Sequence, residues 1–439
     1  MIQSNPYRFF AAFITIVHAI YFFTAYFISD IYTTDSIGYL AQADNIKNHY
    51  SFYAAPWREK FHPDWFTFRP PLYGLFILLC KSIYKHDFTV LFFQNLLSIF
   101  TIISLFRFLV QQNIKELNVS ILLSLILLFY PSQFIHCNMI MSDILFQFIM
   151  FQAFLFSYKL IKNPTFKYAV IASLFFVIGM LTKPVSFLLG FSLALFLVVI
   201  WLRQKKLKYV LPFLLLPITY HAYCSYNKKV TGYYHYTTVT PYFVLKYMAK
   251  YTNAQIYGEA YADSVQAVIM QKADAATDFQ TRYEIMNNEG KKIIKQHWPV
   301  FIWFNVKGWL MIMIDPGRFD WYKFLNINEG EFLGLYHLIN TEGFFKGIVS
   351  FLKIAPLGLL FVLAVSFVFN VVLFSAFIYF LLFTKTDLYL KLLIFLFVCY
   401  MVGATGVLGL ARYRIGFAPL LWIAAAFSFE KIKFKVHVQ

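Results

Sequence analysis

Residues 8–39 read RFFAAFITIVHAIYFFTAYFISDIYTTDSIGY: one arginine, about twenty apolar residues, then Asp30 and Asp35. A run of that length is enough to cross the hydrocarbon of a bilayer as a helix. No small-residue cleavage site follows it, so the reading is a retained signal-anchor helix. Further runs of spanning length fall near 88–110, 117–136, 143–161, 166–182, 184–202, 208–226, 354–383, 387–409 and 412–430. Two shorter apolar pieces, 71–85 and 299–315, leave crossing undecided. Composition agrees. The chain is 60% hydrophobic, 21% aromatic and only 13% charged, against roughly a quarter charged in soluble domains. The charges are too few to cover a water-facing surface, so lipid is the solvent for much of the chain. The expected fold is an all-α polytopic membrane protein with about ten transmembrane helices and interfacial helices on its outer face.

The basic loop Arg203, Lys205, Lys206 and Lys208, the N-terminal Arg8 and the tail with Lys431, Lys433 and Lys435 mark the cytoplasmic side. Parity between these marks makes 71–85 and 299–315 re-entrant or surface-lying. Sixteen of the 21 acidic residues then fall in two outer stretches, Asp30 to Pro71 and Asn227 to Lys353. The orientation did not use the acids, so their clustering is an independent check. Three units follow: residues 1–226 as a membrane core with a first outer loop at 30–87, 227–353 as an outer cap of interfacial helices, and 354–439 as C-terminal membrane helices. The cap is helical in pattern from about Ala254 to Gln296.

The net charge of +17 is scattered over short loops rather than gathered on one face, which argues against nucleic acid. Cys80, Cys137, Cys224 and Cys399 have no ligand-like or disulfide-like spacing. His18 and His136 read as hydrogen-bonded core residues. His62, His235 and His297 lie outside without a second spaced ligand, so no metal is assigned. There is no glycine-rich phosphate loop. A nucleotide sugar is therefore not the evident donor of any transfer reaction.

Five features carry chemistry, each with a plainer alternative. Asp35 begins a short helical pattern (Ser36, Tyr39, Ala43, Lys47), where it is either an N-cap or a base. Arg69-Pro70-Pro71-Leu72-Tyr73 is a stiff entry into a helix. Asp143, after Ser142, heads an apolar helix at membrane depth, where a carboxylate needs a partner. Lys183-Pro184 links two apolar helices on the outer side, against the charge rule; the lysine either snorkels to lipid headgroups or binds phosphate. Arg412-Tyr413-Arg414 breaks the same rule on the same side. It suits phosphate recognition or ordinary anionic headgroups.

Taken in order and by side, the early outer-loop aspartate, the Pro-Pro-Leu-Tyr step, Ser142-Asp143, Leu181-Thr182-Lys183-Pro184 and Arg412-Tyr413 resemble the GT-C glycosyltransferases. They resemble in particular glycosyltransferase family 39, which holds protein O-mannosyltransferases and the bacterial lipid A aminoarabinose transferase. The likeness is good over 1–205, thin over 206–353 and modest at the C-terminus. It implies inverting transfer of a sugar from a polyprenyl-phosphate carrier to a hydroxyl acceptor (protein, lipid A or glycan) outside the cytoplasmic membrane, with membrane lipids around it. Asp35 then matches the catalytic aspartate and Asp143 the second acidic position. Lys183, Arg412 and Arg414 would hold the donor phosphate, with Tyr39, Arg69 and Tyr413 near the substrates. Family members often pair two acids at the first position, whereas Ser36 follows Asp35 here. Divalent-metal use varies across the superfamily. The compact loops point to a bacterial inner membrane with the active site facing the periplasm. A transporter or flippase would show ionisable residues at mid-membrane and two related halves. A non-catalytic subunit of envelope polysaccharide assembly would not need Asp35 and Asp143 on one side.

Overall fold

The computed structural model describes residues 5–58, 60–327, 338–339, 342–354 and 357–431. The basic tail beyond Lys431 and the acidic positions Glu59, Glu329 and Glu331 lie outside these. The described residues form helices and loops, with no β-strand among them. In chain order the first helices are α1 (Pro6–Ile28), α2 (Thr34–His49), α3 (Pro71–Ile83), α4 (Asp87–Gln111), α5 (Glu116–Leu128), α6 (Ser132–Cys137), α7 (Asp143–Lys162), α8 (Phe166–Thr182), α9 (Phe187–Trp201) and α10 (Leu215–Thr231). They are followed by α11 (Val239–Phe243), α12 (Lys250–Tyr257), α13 (Glu259–Asp274), α14 (Phe279–Gln296), α15 (Trp298–Ile314) and α16 (Arg318–Phe324). Helices at Phe344–Ile354, Leu357–Phe383, Leu388–Thr405 and Ala418–Lys431 complete the chain.

Six described helices are long and apolar enough to cross a membrane: Pro6–Ile28, Asp87–Gln111, Asp143–Lys162, Pro184–Trp201, Leu357–Phe383 and Leu388–Leu408. Shorter apolar helices stand at Pro71–Ile83, Glu116–Leu128, Phe166–Thr182 and Trp298–Ile314. Burial sorts them. The window through α7 is 78% buried and that through α1 17%. An apolar helix enclosed on all sides is a core element, and an apolar one left exposed needs lipid. So α7 is the central post, and Phe23 and Phe27 of α1 face the bilayer.

The run expected as one helix over 117–136 is two. α5 stops at Leu128, the chain turns at Tyr130-Pro131, and α6 starts again at Ser132. Pro131 has no N–H to give, and a proline disfavours the helical conformation at the residue before it, here Tyr130. Pro212 acts similarly in 208–226, where a 3-10 segment (Leu207–Leu214) precedes α10.

The first loop is locked rather than free. Thr33 and Ser36 form a capping box at the start of α2. Ser36 Oγ also donates to the Ile140 carbonyl at 2.7 Å. Asn45 donates to the carbonyls of Tyr53 and Ala55, each at 2.8 Å. Gln42 donates to those of Phe52 and Arg69. Pro71 takes the first turn of α3, as the sequence reading expects. The helical pattern read over 254–296 forms as α12 to α14, and this region is tied to the first loop. Thr237 Oγ1 donates to the Thr67 carbonyl and Thr238 Oγ1 to the Asp64 carbonyl, each at 2.8 Å. Buried Arg282 of α14 pairs with buried Asp64 at 3.1 Å and with Asp274. Breaking one partner of such a buried pair costs about 3–5 kcal/mol, enough to hold α14 against the loop.

Candidate active site

Asp35 occupies the second position of α2. Because Thr33 and Ser36 cap the helix, its carboxylate is available for other work. One oxygen meets Arg69 Nη2 at 2.5 Å and the other meets Arg412 Nη2 at 2.7 Å. Arg412 belongs to a 3-10 segment, Ala411–Phe417. Its guanidinium also reaches Asp143, with Nη2 and Nε each 3.2 Å from Oδ2. Lys183, the residue after α8, completes the group with Nζ 2.7 Å from Asp143 Oδ1. Asp143 is 2% exposed; it heads α7, and these two cations are the partners its depth requires. Asp35, Asp143 and Arg412, separated along the chain by 108 and then 269 positions, are thus brought to one point, Arg412 lying between the two carboxylates.

The group counts two carboxylates (Asp35, Asp143) against three cations (Arg69, Lys183, Arg412), one positive charge in surplus. Burial on its own would raise the Asp35 carboxyl; Arg412 and then Arg69 outweigh it and hold it well below the usual carboxylate range. Burial lowers the Lys183 ammonium, opposed by Asp143. Arg69 lies over the rings of Tyr39 and Phe68, 4.7 and 5.0 Å from their centroids. Tyr39 is buried, with its hydroxyl 2.9 Å from Ser142 Oγ and its ring edge-on to Tyr73. Tyr39 therefore shapes the wall behind Arg69. Half-buried Tyr413 sits within electrostatic reach of Asp35 and Asp143.

Arg414 is not in this group. It is 1% exposed, and its guanidinium donates to the Tyr130 hydroxyl and to the carbonyls of Ile312, Met313 and Asp315. Those carbonyls end α15 and have no intrahelical partner of their own. The phosphate-binding place expected for Arg414 does not fit: its donors are spent on a helix end, and it works as a peg between α15 and the 411–417 segment.

Asp315, Asp320 and His136 stand beside the group and were missed by sequence reading. Asp315 accepts from the backbone N–H of Gly317 and Ala411. Asp320 Oδ1 is 3.7 Å from His136 Nε2. The sequence signal for Asp315 was an acid closing an apolar run; Asp320 gave none. His18 is hydrogen-bonded to Ile14 and Ser98, as expected of a core histidine. His136 departs from that expectation, because neither ring nitrogen has a hydrogen-bond partner. No group of three His, Cys, Asp or Glu side chains suited to a metal ion occurs among the described residues.

No curated protein matches the chain. Among solved structures, ArnT from Cupriavidus metallidurans in the apo state is similar over 95% of this chain and 76% of its own, at 12% identity and a TM-score of 0.38. Residues 68–223 match the family model described as dolichyl-phosphate-mannose-protein mannosyltransferase. That segment runs from the Arg69 step through Ser142-Asp143 to Lys183 and beyond. The match is a likeness of that segment, about a third of the chain, to the family.

Proposed function

We propose that this protein transfers a sugar from a polyprenyl-phosphate carrier to an acceptor hydroxyl on the non-cytoplasmic side of a bacterial inner membrane. The observation that carries the reading is Arg412 lying between Asp35 and Asp143, with Lys183 on Asp143. An acceptor hydroxyl must lose its proton as its oxygen attacks the anomeric carbon, which calls for one carboxylate base. The leaving phosphate is already a stable anion, so cations rather than an acid must meet it. Asp35 takes the first role, and Arg412 and Lys183 the second. The oxygen–carbon bond forms as the carbon–phosphate oxygen bond breaks, the proton goes to Asp35, and polyprenyl phosphate leaves.

The depressed proton affinity of Asp35 fits a donor-free state. A phosphodiester taken between Arg412 and Lys183 shares those cations with it. Asp35 is then less strongly neutralised, and its basicity rises when the donor is in place. The single charge of the phosphodiester also cancels the surplus positive charge of the group. Arg69 stays on Asp35 and orients it. The all-apolar faces of the spanning helices give the isoprenoid tail its solvent, and the region over 227–353 positions the acceptor.

The test is transfer itself. Purified protein supplied with a radiolabelled polyprenyl-phosphate sugar and an extract of cell-envelope acceptors should move label from the lipid to the acceptor fraction and release polyprenyl phosphate in equal amount. Donor that stays intact with every acceptor fraction contradicts the reading.

A further inference from the structure

Asp320, on α16, is 6% exposed, and its Oδ2 has no hydrogen-bond partner. The gap from its Oδ1 to His136 Nε2, 3.7 Å, is too long for a hydrogen bond. Buried polar atoms are nearly always satisfied, so a carboxyl oxygen and both nitrogens of a neighbouring imidazole left without partners need a reason. The charged and titratable groups around Asp320 come from every neighbouring element. They are His136 on α6, Asp143 on α7, Asp315 after α15, Arg412 and Arg414 on the 411–417 segment, and Tyr130 in the turn before α6.

Each nearby cation is committed elsewhere. Arg414 serves the α15 carbonyls and Tyr130; Arg412 serves Asp35 and Asp143. On α16 itself, Lys323 pairs with Asp30, and Arg318 lies over the rings of Tyr322 and Phe351. Among the described residues, no lysine or arginine lies within ion-pair distance of Asp320. Gly317, at φ +77°, brings backbone in so closely that a Cβ there would stand 3.0 Å from Asp320 Oδ2, which narrows the space for solvent. A carboxyl so placed keeps its proton. Burial first, and the Asp315 carboxylate second, raise it to about 8.

We propose that Asp320 sets the charge of the donor-phosphate site: protonated, it leaves the Asp35, Asp143, Arg69, Lys183 and Arg412 group its surplus positive charge, and ionised it cancels that surplus. The inference rests on the reading of this group as the seat of a polyprenyl phosphate. Asp320 is a positioning residue in this scheme, acting through Arg412 and touching no substrate. The sign is fixed. Rising pH removes a proton from Asp320, adds a negative charge near Arg412 and weakens an anionic ligand. By reciprocity, ligand binding at about pH 8 draws a proton onto the protein.

The probe is a methyl polyprenyl phosphodiester, whose one charge does not titrate in this range, bound to the full chain in detergent. Wild-type affinity should fall about tenfold between about pH 6.5 and 9, the worth of one charge at roughly 10 Å in a partly buried site. Asp320→Asn, which mimics the protonated carboxyl in shape, should bind as tightly as wild type does at the lower pH and show no such fall. Calorimetry of the wild type in two buffers of different ionisation enthalpy should show uptake of a substantial fraction of a proton at about pH 8; it needs no variant to fold. A flat wild-type profile with no proton uptake, or a slope that survives in Asp320→Asn, overturns the role of Asp320 and leaves the donor reading standing. Absence of diester binding to wild type at every pH overturns the donor reading and this inference together.

Discussion

Asp35→Asn is expected to lower sugar transfer by about 10²–10⁴-fold, the usual worth of a positioned general base, with donor still bound. Asparagine keeps the volume of the side chain and can still accept from Arg69, so the loop should hold its shape. The two guanidiniums on Asp35 lose a charge partner, and that releases Arg412 for the phosphate. Donor affinity should therefore stay level or rise slightly while turnover collapses. Measured together, donor binding and single-turnover transfer separate this outcome from misfolding, which would remove both. Retained turnover would eliminate Asp35 as the base.

Arg412→Met should be as damaging to transfer and more damaging to the fold. Arg412 neutralises two carboxylates, one of them 2% exposed. Removing it leaves Asp35 with Arg69 and Asp143 with Lys183, each pair short of one contact in a poorly hydrated setting. Loss of a buried ion-pair partner costs about 3–5 kcal/mol, so thermal unfolding in detergent should shift down by several degrees or more. Loss of a cation that meets the developing phosphate charge should cost about 10²–10³-fold in transfer. Arg412→Lys separates the two effects. A lysine restores a charge but is a point donor, unable to span both carboxylates as the planar fork does. It should recover most of the stability and little of the activity. Full activity in Arg412→Lys would contradict a role that depends on bridging.

The fold was legible where hydropathy alone decides it. α4 and α7 lie within a residue or so of the runs read at 88–110 and 143–161, because an all-apolar stretch of spanning length has one favourable state in lipid. It was less legible where a proline interrupts such a run. Hydropathy is blind to the missing N–H of Pro131, and the run at 117–136 breaks there. At the site, the charge rule drew attention to Lys183, Arg412 and Arg414 alike, since it counts charges by side of the membrane and not by direction. Residues two apart on a helical segment point roughly 200–240° away from each other. Arg412 and Arg414 accordingly diverge, one to the carboxylates and the other to the end of α15. Asp320 was invisible because its neighbour His136 is 184 positions earlier in the chain, and nothing local in Arg318-Phe319-Asp320-Trp321 marks a buried acid. The Ser36 that departs from the paired-acid pattern has an evident job, capping α2 and clamping it to Ile140.

The most direct measurement is the position of the phosphorus of a bound polyprenyl-phosphate sugar in an experimental structure of the full chain in lipid nanodiscs. The phosphate oxygens should lie within hydrogen-bond distance of Arg412 and Lys183, with Asp35 facing the anomeric side. A headgroup seated on other residues, with Arg412 still closed on Asp35 and Asp143, would contradict the assignment.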